Sequence, residues 1–218
     1  MIIEHVFHSG MKIDLGDYLI LIDVFEEIED FNGRKIYCLS SHGHGDHFSP
    51  KVFDLRDSND VTYIFSDDIE AEGEDIHFVK EGDQVTIGDL DLRVYGSTDL
   101  GVSFLIKASN QVFFHSGDLN WWHWKTFNLG QLIDEELQFK AVVDQLIGQE
   151  IDYYFLPVDY RLEEHGYLAY DYVIGKIKPR FLIPMHFADH YDYIKPLLDT
   201  SSTRVLKAEK RRHVLVNE

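Results

Sequence analysis

Residues 37–50 read Tyr37-Cys-Leu-Ser-Ser-His42-Gly-His44-Gly-Asp46-His47-Phe-Ser49-Pro50. The stretch grows out of an apolar run, Ile36-Tyr37-Cys38-Leu39, of the kind that forms a buried strand. It then breaks into three imidazoles and one carboxylate within six residues, which cannot all be core side chains. Ser49-Pro50 follows and reads as an N-cap and first helical residue. The cluster therefore sits on a loop between the end of a strand and the start of a helix. His42 and His44 are two apart on extended backbone, so they point the same way and can share one cation. Asp46 and His47 are adjacent at a tightening turn and suit a second. Neutral imidazole with carboxylate suits zinc first, with manganese or iron as alternatives.

Two later stretches repeat this layout. Gln111-Val-Phe-Phe-His115-Ser-Gly-Asp118 is an apolar run ending in a carboxylate, and Phe181-Leu-Ile-Pro-Met-His186 is one ending in an imidazole. Alone, Asp118 is an ordinary turn aspartate and His186 an ordinary core histidine. Beside the histidine loop they become ligand candidates, because a two-metal site draws ligands from distant segments. Tyr18–Val24 is a further apolar run with Asp23 near its end. Asp23 either braces the metal loop through hydrogen bonds or is a turn residue.

Working outward, residues 2–8, 11–15, 18–24 and 35–40 read as strands, with an acidic turn over 26–34 carrying Asn32-Gly33. A helix is expected over 50–56, a strand over 61–65, a short helix capped by Ser66, and a strand over 76–79. Hairpins are expected around Gly88-Asp89 and Ser109-Asn110. A helix over 132–147 presents Leu132, Phe139, Val143 and Leu146 as a core stripe. Strands over 151–156 and 181–184, helices over 167–177 and 191–199, and two strands over 204–207 and 213–216 close the chain. Strands first, then strands mixed with helices, indicate a mixed α and β domain spanning 1–218.

Composition narrows the function. Twenty basic against 39 acidic side chains give a net charge of −19, which opposes nucleic acid. The one basic cluster, Arg204, Lys207, Lys210, Arg211 and Arg212, reads as the solvated face of a terminal hairpin. No apolar run approaches the ~18 residues of a membrane span, and no signal peptide is visible at the N-terminus. The single cysteine, Cys38, forms no internal disulfide; it suits a strand interior and a reducing cytoplasm. No Ser-His-Asp set or phosphate-binding loop competes with the metal reading. Homo-oligomerisation is left open.

The string His42-x-His44-x-Asp46-His47 resembles the signature of the metallo-β-lactamase superfamily, and the likeness runs over roughly residues 20–190. Within it the chain looks nearest to compact bacterial hydrolases related to L-ascorbate-6-phosphate lactonase, through Phe-His-Ser-Gly-Asp-Leu and Ile-Pro-Met-His-Phe. The resemblance implies a four-layer αββα sandwich. It implies that His42 and His44 bind a first metal and that Asp118 bridges. Asp46, His47 and His186 then bind a second metal. It further implies hydrolysis of a small molecule, through an ester, lactone or phosphoester bond. Asp46 or Asp118 would orient a water acidified by the metal.

The chain departs from the family at one point. Relatives supply a third histidine to the first metal from a loop after the central hairpin, but residues 78–114 contain no histidine. A weak or empty first site is the favoured expectation. Asp99, a hydroxyl of Ser97 or Thr98, a water, or His115 are the other ways to complete it, with His115 better suited to orienting a carboxylate or water. Near the site, Trp121-Trp122-His123-Trp124 is a candidate substrate wall, His123 a candidate acid or anion contact, and Arg161 a candidate anion contact or surface partner of Glu163 or Glu164.

Overall fold

A computed structural model describes residues 1–26 and 31–218, so the acidic turn expected over 26–34 lies partly outside the described residues. The first sheet is built from β1 (Ile2–Phe7), β2 (Gly10–Asp14), β3 (Tyr18–Ile22), β4 (Lys35–Ser40), β5 (Asp60–Ser66) and β6 (Ile76–Val79). The second holds β7 (Gln84–Ile87), β8 (Leu90–Tyr95), β9 (Ser103–Ala108), β10 (Gln111–His115), β11 (Tyr153–Pro157), β12 (Phe181–Met185) and β13 (Arg204–Val205). The last strand, β14 (His213–Asn217), returns to the first sheet beside β1. The strand orders are 14-1-2-3-4-5-6 and 13-12-11-10-9-8-7.

The expected sandwich holds in outline. Ile20, Tyr37, Leu39, Phe104, Phe113 and Phe155 pack between the sheets; burying each is worth ~1.5–3 kcal/mol. The outer face of the second sheet is covered by α1 (Leu129–Val143) and α2 (Leu168–Lys176) through Phe139, Val143 and Val173. The outer face of the first is covered by Val52 and Leu55 of a 3-10 segment, Pro50–Asp57, packed on Ile36, Cys38 and Tyr63. β4 is thus buried on both faces, which is why its sequence is apolar without alternation.

Several expectations need correction. Residues 50–57 start at the Ser49 cap as expected but wind as a 3-10 helix. Residues 67–69 turn without forming the helix expected after Ser66, and 191–196 turn without forming a helix. α1 starts three residues earlier than its apolar stripe, because Asn128 and Gln131 form a reciprocal capping box. The terminal strands form no hairpin, since β13 pairs with β12 and β14 with β1. The basic cluster is held by intramolecular contacts: Arg211 on Asp189 and Glu26, Arg212 on Glu4, and Lys207 on the carbonyls of Lys195 and Leu197.

Strand direction positions the site. β3, β4 and β5 run parallel, as do β10, β11 and β12. β1 is two antiparallel steps from β3, and β8 is two from β10, so both point the same way as their parallel neighbours. The C-terminal ends of all these strands meet at one rim of the sandwich.

Candidate metal centre

The rim gathers residues from seven strand ends. Asp23 follows β3 with φ 51° and is wholly buried. It accepts hydrogen bonds from the Ser41 N–H (2.7 Å), the Ser41 hydroxyl (2.8 Å) and the Nδ1–H of His47 (2.7 Å). Burial would raise its carboxyl, but His47 outweighs this and holds it below the usual range. Asp23 is thus a brace of the histidine loop and not a turn residue.

These partners fix the tautomers. His47 gives its Nδ1 proton to Asp23. His186, following β12, gives its Nδ1 proton to Asp159 Oδ2 at 3.1 Å. His42 gives its own to Ser41 Oγ at 3.0 Å, since that hydroxyl's proton is spent on Asp23. In its neutral form each ring has a bare Nε2 facing the rim. His47 Nε2 and His186 Nε2 lie 3.1 and 3.2 Å from Asp118 Oδ1. All three atoms are buried and lack a hydrogen-bond partner. On the other side, His42 Nε2 is 3.5 Å from Asp118 Oδ2 and 3.0 Å from His44 Nδ1.

Orphaned lone pairs from distant segments, aimed at a common space and mixed with carboxylates, are the donor set of a divalent cation. Among the described residues, three groups have ligand atoms within 4.8 Å of one another: His8, Asp46, His47 and His186; His42, His47 and Asp118; and His44, Asp99 and Asp118. The residues present fit a metal. Without a cation, the surrounding carboxylates favour a proton on the rim nitrogens of His47 and His186, which a cation would displace. Burial opposes charge on His47, yet Asp23 and Asp118 push it up to about 10. Burial likewise opposes charge on His186, and Asp118 and Asp159 push it up to about 9. Asp118 is driven well below the usual range by His186 and His47 against its own burial.

His8 is the residue the sequence reading missed. It follows β1 at φ 54°, with its ring centroid 4.0 Å from that of His186. Its Nδ1 accepts the Ala188 N–H at 3.3 Å, so the proton lies on Nε2, 3.4 Å from Asp46 Oδ2. Burial pushes His8 down to about 4, which keeps it neutral. Asp46 is held low, first by this contact. Asp159 was likewise missed as the partner of His186. Asp159 follows an apolar strand, the same signal that singled out Asp118 and His186, whereas the strand before His8 carries Glu4 and His5.

Other expectations are redistributed. His115 touches no carboxylate as a hydrogen-bond donor; its Nε2–H bonds the Ser9 carbonyl at 2.9 Å while Nδ1 accepts the Gly117 N–H. It therefore braces the turn after His8. Trp121 packs outward on Phe139 and Tyr172 and does not line the site. Trp122 and Trp124 do, stacked at 5.6 Å and 2° against a cavity of ≈ 330 Å³. His123 lies against His165 at 4.2 Å, away from that cavity. Arg161 lines the cavity but grips Asp159 through its guanidinium, while Glu163 and Glu164 pair with Lys125.

No protein-family profile matches the chain. A "UPF0173 metal-dependent hydrolase" of Alkaliphilus metalliredigens is 23% identical to it, over 96% of this chain and 98% of that one. Igni18, a metallo hydrolase from the archaeon Ignicoccus hospitalis, superposes with a TM-score of 0.66 at 16% identity, covering 100% of this chain and 98% of that one. YhfI of Bacillus subtilis, a metallo-β-lactamase fold protein, superposes with a TM-score of 0.62 at 12% identity, over 98% and 99% of the two chains. At these identities the likeness is one of architecture, and with two stacked mixed sheets that carry their polar side chains at one rim, this chain has the metallo-β-lactamase fold.

Proposed function

We propose that the chain is a metal-dependent hydrolase of a small molecule bearing an ester, lactone or phosphoester bond. The observation that carries this reading is the convergence of His47 Nε2, His186 Nε2 and Asp118 Oδ1, buried and unpartnered, from three separate segments. His42, His44, Asp46, His47, Asp118 and His186 would hold one or two divalent cations, zinc foremost and manganese or iron as alternatives. When bound, such a cation acidifies water to a pKa near ~7 and polarises the bond to be cleaved.

The chain's own residues do the rest. Asp23, Ser41 and Asp159 take the proton on the other ring nitrogen, so Nε2 of each ring is the atom that would turn to a cation once its own proton leaves. Asp46, ionised and next to the cavity, is suited to accept a hydrogen bond from a water and hold it in line. Trp122 and Trp124 give the substrate an apolar wall and exclude bulk water. The net charge of −19 speaks against a nucleic-acid substrate, and the lone buried cysteine fits a cytoplasmic setting. A relative named as a metal-dependent hydrolase supports the reaction class.

A second reading, a metal-binding or sensing protein without turnover, is favoured by the missing third histidine. The two separate when the purified protein is loaded with zinc, manganese or iron and screened on generic phosphodiesters and lactones. Turnover that disappears in His47→Ala supports the hydrolase. Tight metal binding with no turnover on any of them supports the sensor.

A further inference from the structure

The absence of a third histidine leaves the position beside His42 and His44 short of a ligand, and the loop 96–101 that should supply it carries Asp99. That loop leaves β8, which ends at the same rim as β10. Its course is held on both sides. The Thr98 hydroxyl donates to the Asn120 carbonyl at 2.6 Å and accepts the Asn120 N–H at 2.9 Å, fastening the loop to the segment just after Asp118. Gly101, at φ +72°, packs so closely on the histidine loop that a Cβ there would lie 2.1 Å from the Ser41 carbonyl oxygen and 2.5 Å from His42 Cβ. Val102 N–H then donates to that same carbonyl at 3.0 Å. Between these two fastenings, the Asp99 carboxylate has an oxygen within 4.8 Å of ligand atoms of both His44 and Asp118.

We propose that Asp99 takes the place of the third histidine, so that His42, His44, Asp99 and Asp118 form a complete cation position. This inference deepens the metal-dependent reading above and rests on it. Asp118, 4% exposed, divides its two oxygens: Oδ1 faces His47 and His186, Oδ2 faces His42. Each side then has two imidazoles, its own aspartate and a share of Asp118: His42, His44 and Asp99 on one, His47, His186 and Asp46 on the other. The two donor sets are chemically equal. Two like cations of similar affinity follow, in place of one tight and one weak. Mixed imidazole and carboxylate sets of this kind also narrow the advantage of zinc over manganese or iron(II), which take carboxylate oxygen more readily than thiolate.

The test is metal stoichiometry and Mn(II) electron paramagnetic resonance on the full chain, for the native protein, Asp99→Ala and Asp99→His. The native protein is expected to bind two equivalents of Mn(II) with an exchange-coupled spectrum. Asp99→Ala is expected to bind one, with the uncoupled six-line spectrum. Asp99→His is expected to regain two equivalents and to shift preference toward zinc. Circular dichroism checks that each variant is folded, and if Asp99→Ala is not, Asp99→Asn replaces it. Two coupled equivalents in a folded variant lacking the carboxylate overturn the role of Asp99 and leave the hydrolase reading standing. A native protein that binds no metal overturns both.

Discussion

The Nε2 of His8 lies 3.4 Å from Oδ2 of Asp46, with the opposite ring nitrogen occupied by the Ala188 N–H. This places the His8 proton on the nitrogen nearest Asp46, so His8 is suited to orient that carboxylate, although it falls within reach of the same group of candidate ligands as Asp46, His47 and His186. Loss of a group that orients a ligand typically costs ~10–100-fold in activity or metal affinity. His8→Ala is therefore expected to lower kcat by about tenfold to a hundredfold while the number of bound metal equivalents stays as in the native protein. His8→Gln, which keeps an N–H donor, should recover part of the rate. Metal analysis beside steady-state kinetics checks this; a missing equivalent in His8→Ala would make His8 a ligand.

Protons and cations compete for the same two imidazoles. His47 is raised to about 10 and His186 to about 9, both above the ordinary 6.5. A raised folded-state value gives stability that is complete below about pH 6.5 and is lost as pH climbs through 9 and 10. Chelator-stripped protein should lose Tm across that window, whereas bound cations replace the lost protons in the loaded form. The Tm difference between loaded and stripped protein is expected to widen from pH 7 to pH 9.5. Scanning calorimetry at three pH values reads it. A gap that is constant with pH would show that these histidines are not the shared seat.

The Asp159 carboxylate takes part in three contacts, with the Nδ1–H of His186, the Arg161 guanidinium and the Arg161 backbone N–H, which together hold it at about 2 despite burial. Asp159→Asn removes the charge and offers a carboxamide that no longer selects the tautomer with a bare Nε2. Metal affinity is expected to fall ~10–100-fold with the fold intact. Competition with a fluorescent chelator measures it, and an unchanged affinity would reduce Asp159 to an anchor for Arg161.

Gly101→Ala should be disproportionately costly. The new Cβ would meet the Ser41 carbonyl at 2.1 Å in a left-handed conformation, so the loop must move away from His42. A loss above ~1 kcal/mol is expected, together with weaker metal binding beside His42 and His44. Gly45→Ala is the control, because nothing lies within 4 Å of a Cβ there; its effect should stay within ~0.5 kcal/mol. Urea unfolding compares the two, and equal effects would contradict the close packing of the two loops.

The histidine loop and the strand ends at Asp118 and His186 were legible because they share one pattern, an apolar run closing on an imidazole or carboxylate. Residues 153–159 obey it too, Tyr153-Tyr-Phe-Leu-Pro-Val158 closing on Asp159, whereas Ile2-Ile-Glu-His-Val-Phe7 before His8 is broken by Glu4 and His5. Their histidine and aspartate carried no neighbouring cluster to mark them. Trp121, Trp122 and Trp124 were indistinguishable in sequence, since one residue of offset on a loop decides whether a ring faces the core or the cavity.

Local periodicity and side-chain type were enough for the succession of strands, the buried character of β4 and the chemistry of residues 42–47, but not for the helices expected after Ser66 and over 191–199, which are turns. Tertiary structure alone decided that β1 and β8 run in the same sense as β4 and β10, which delivers His8 and Asp99 to the rim. It also decided which ring nitrogen each histidine leaves bare. Strand direction depends on how the sheet is wound, and a tautomer depends on what faces the other nitrogen, and neither is a property of residues adjacent in the chain.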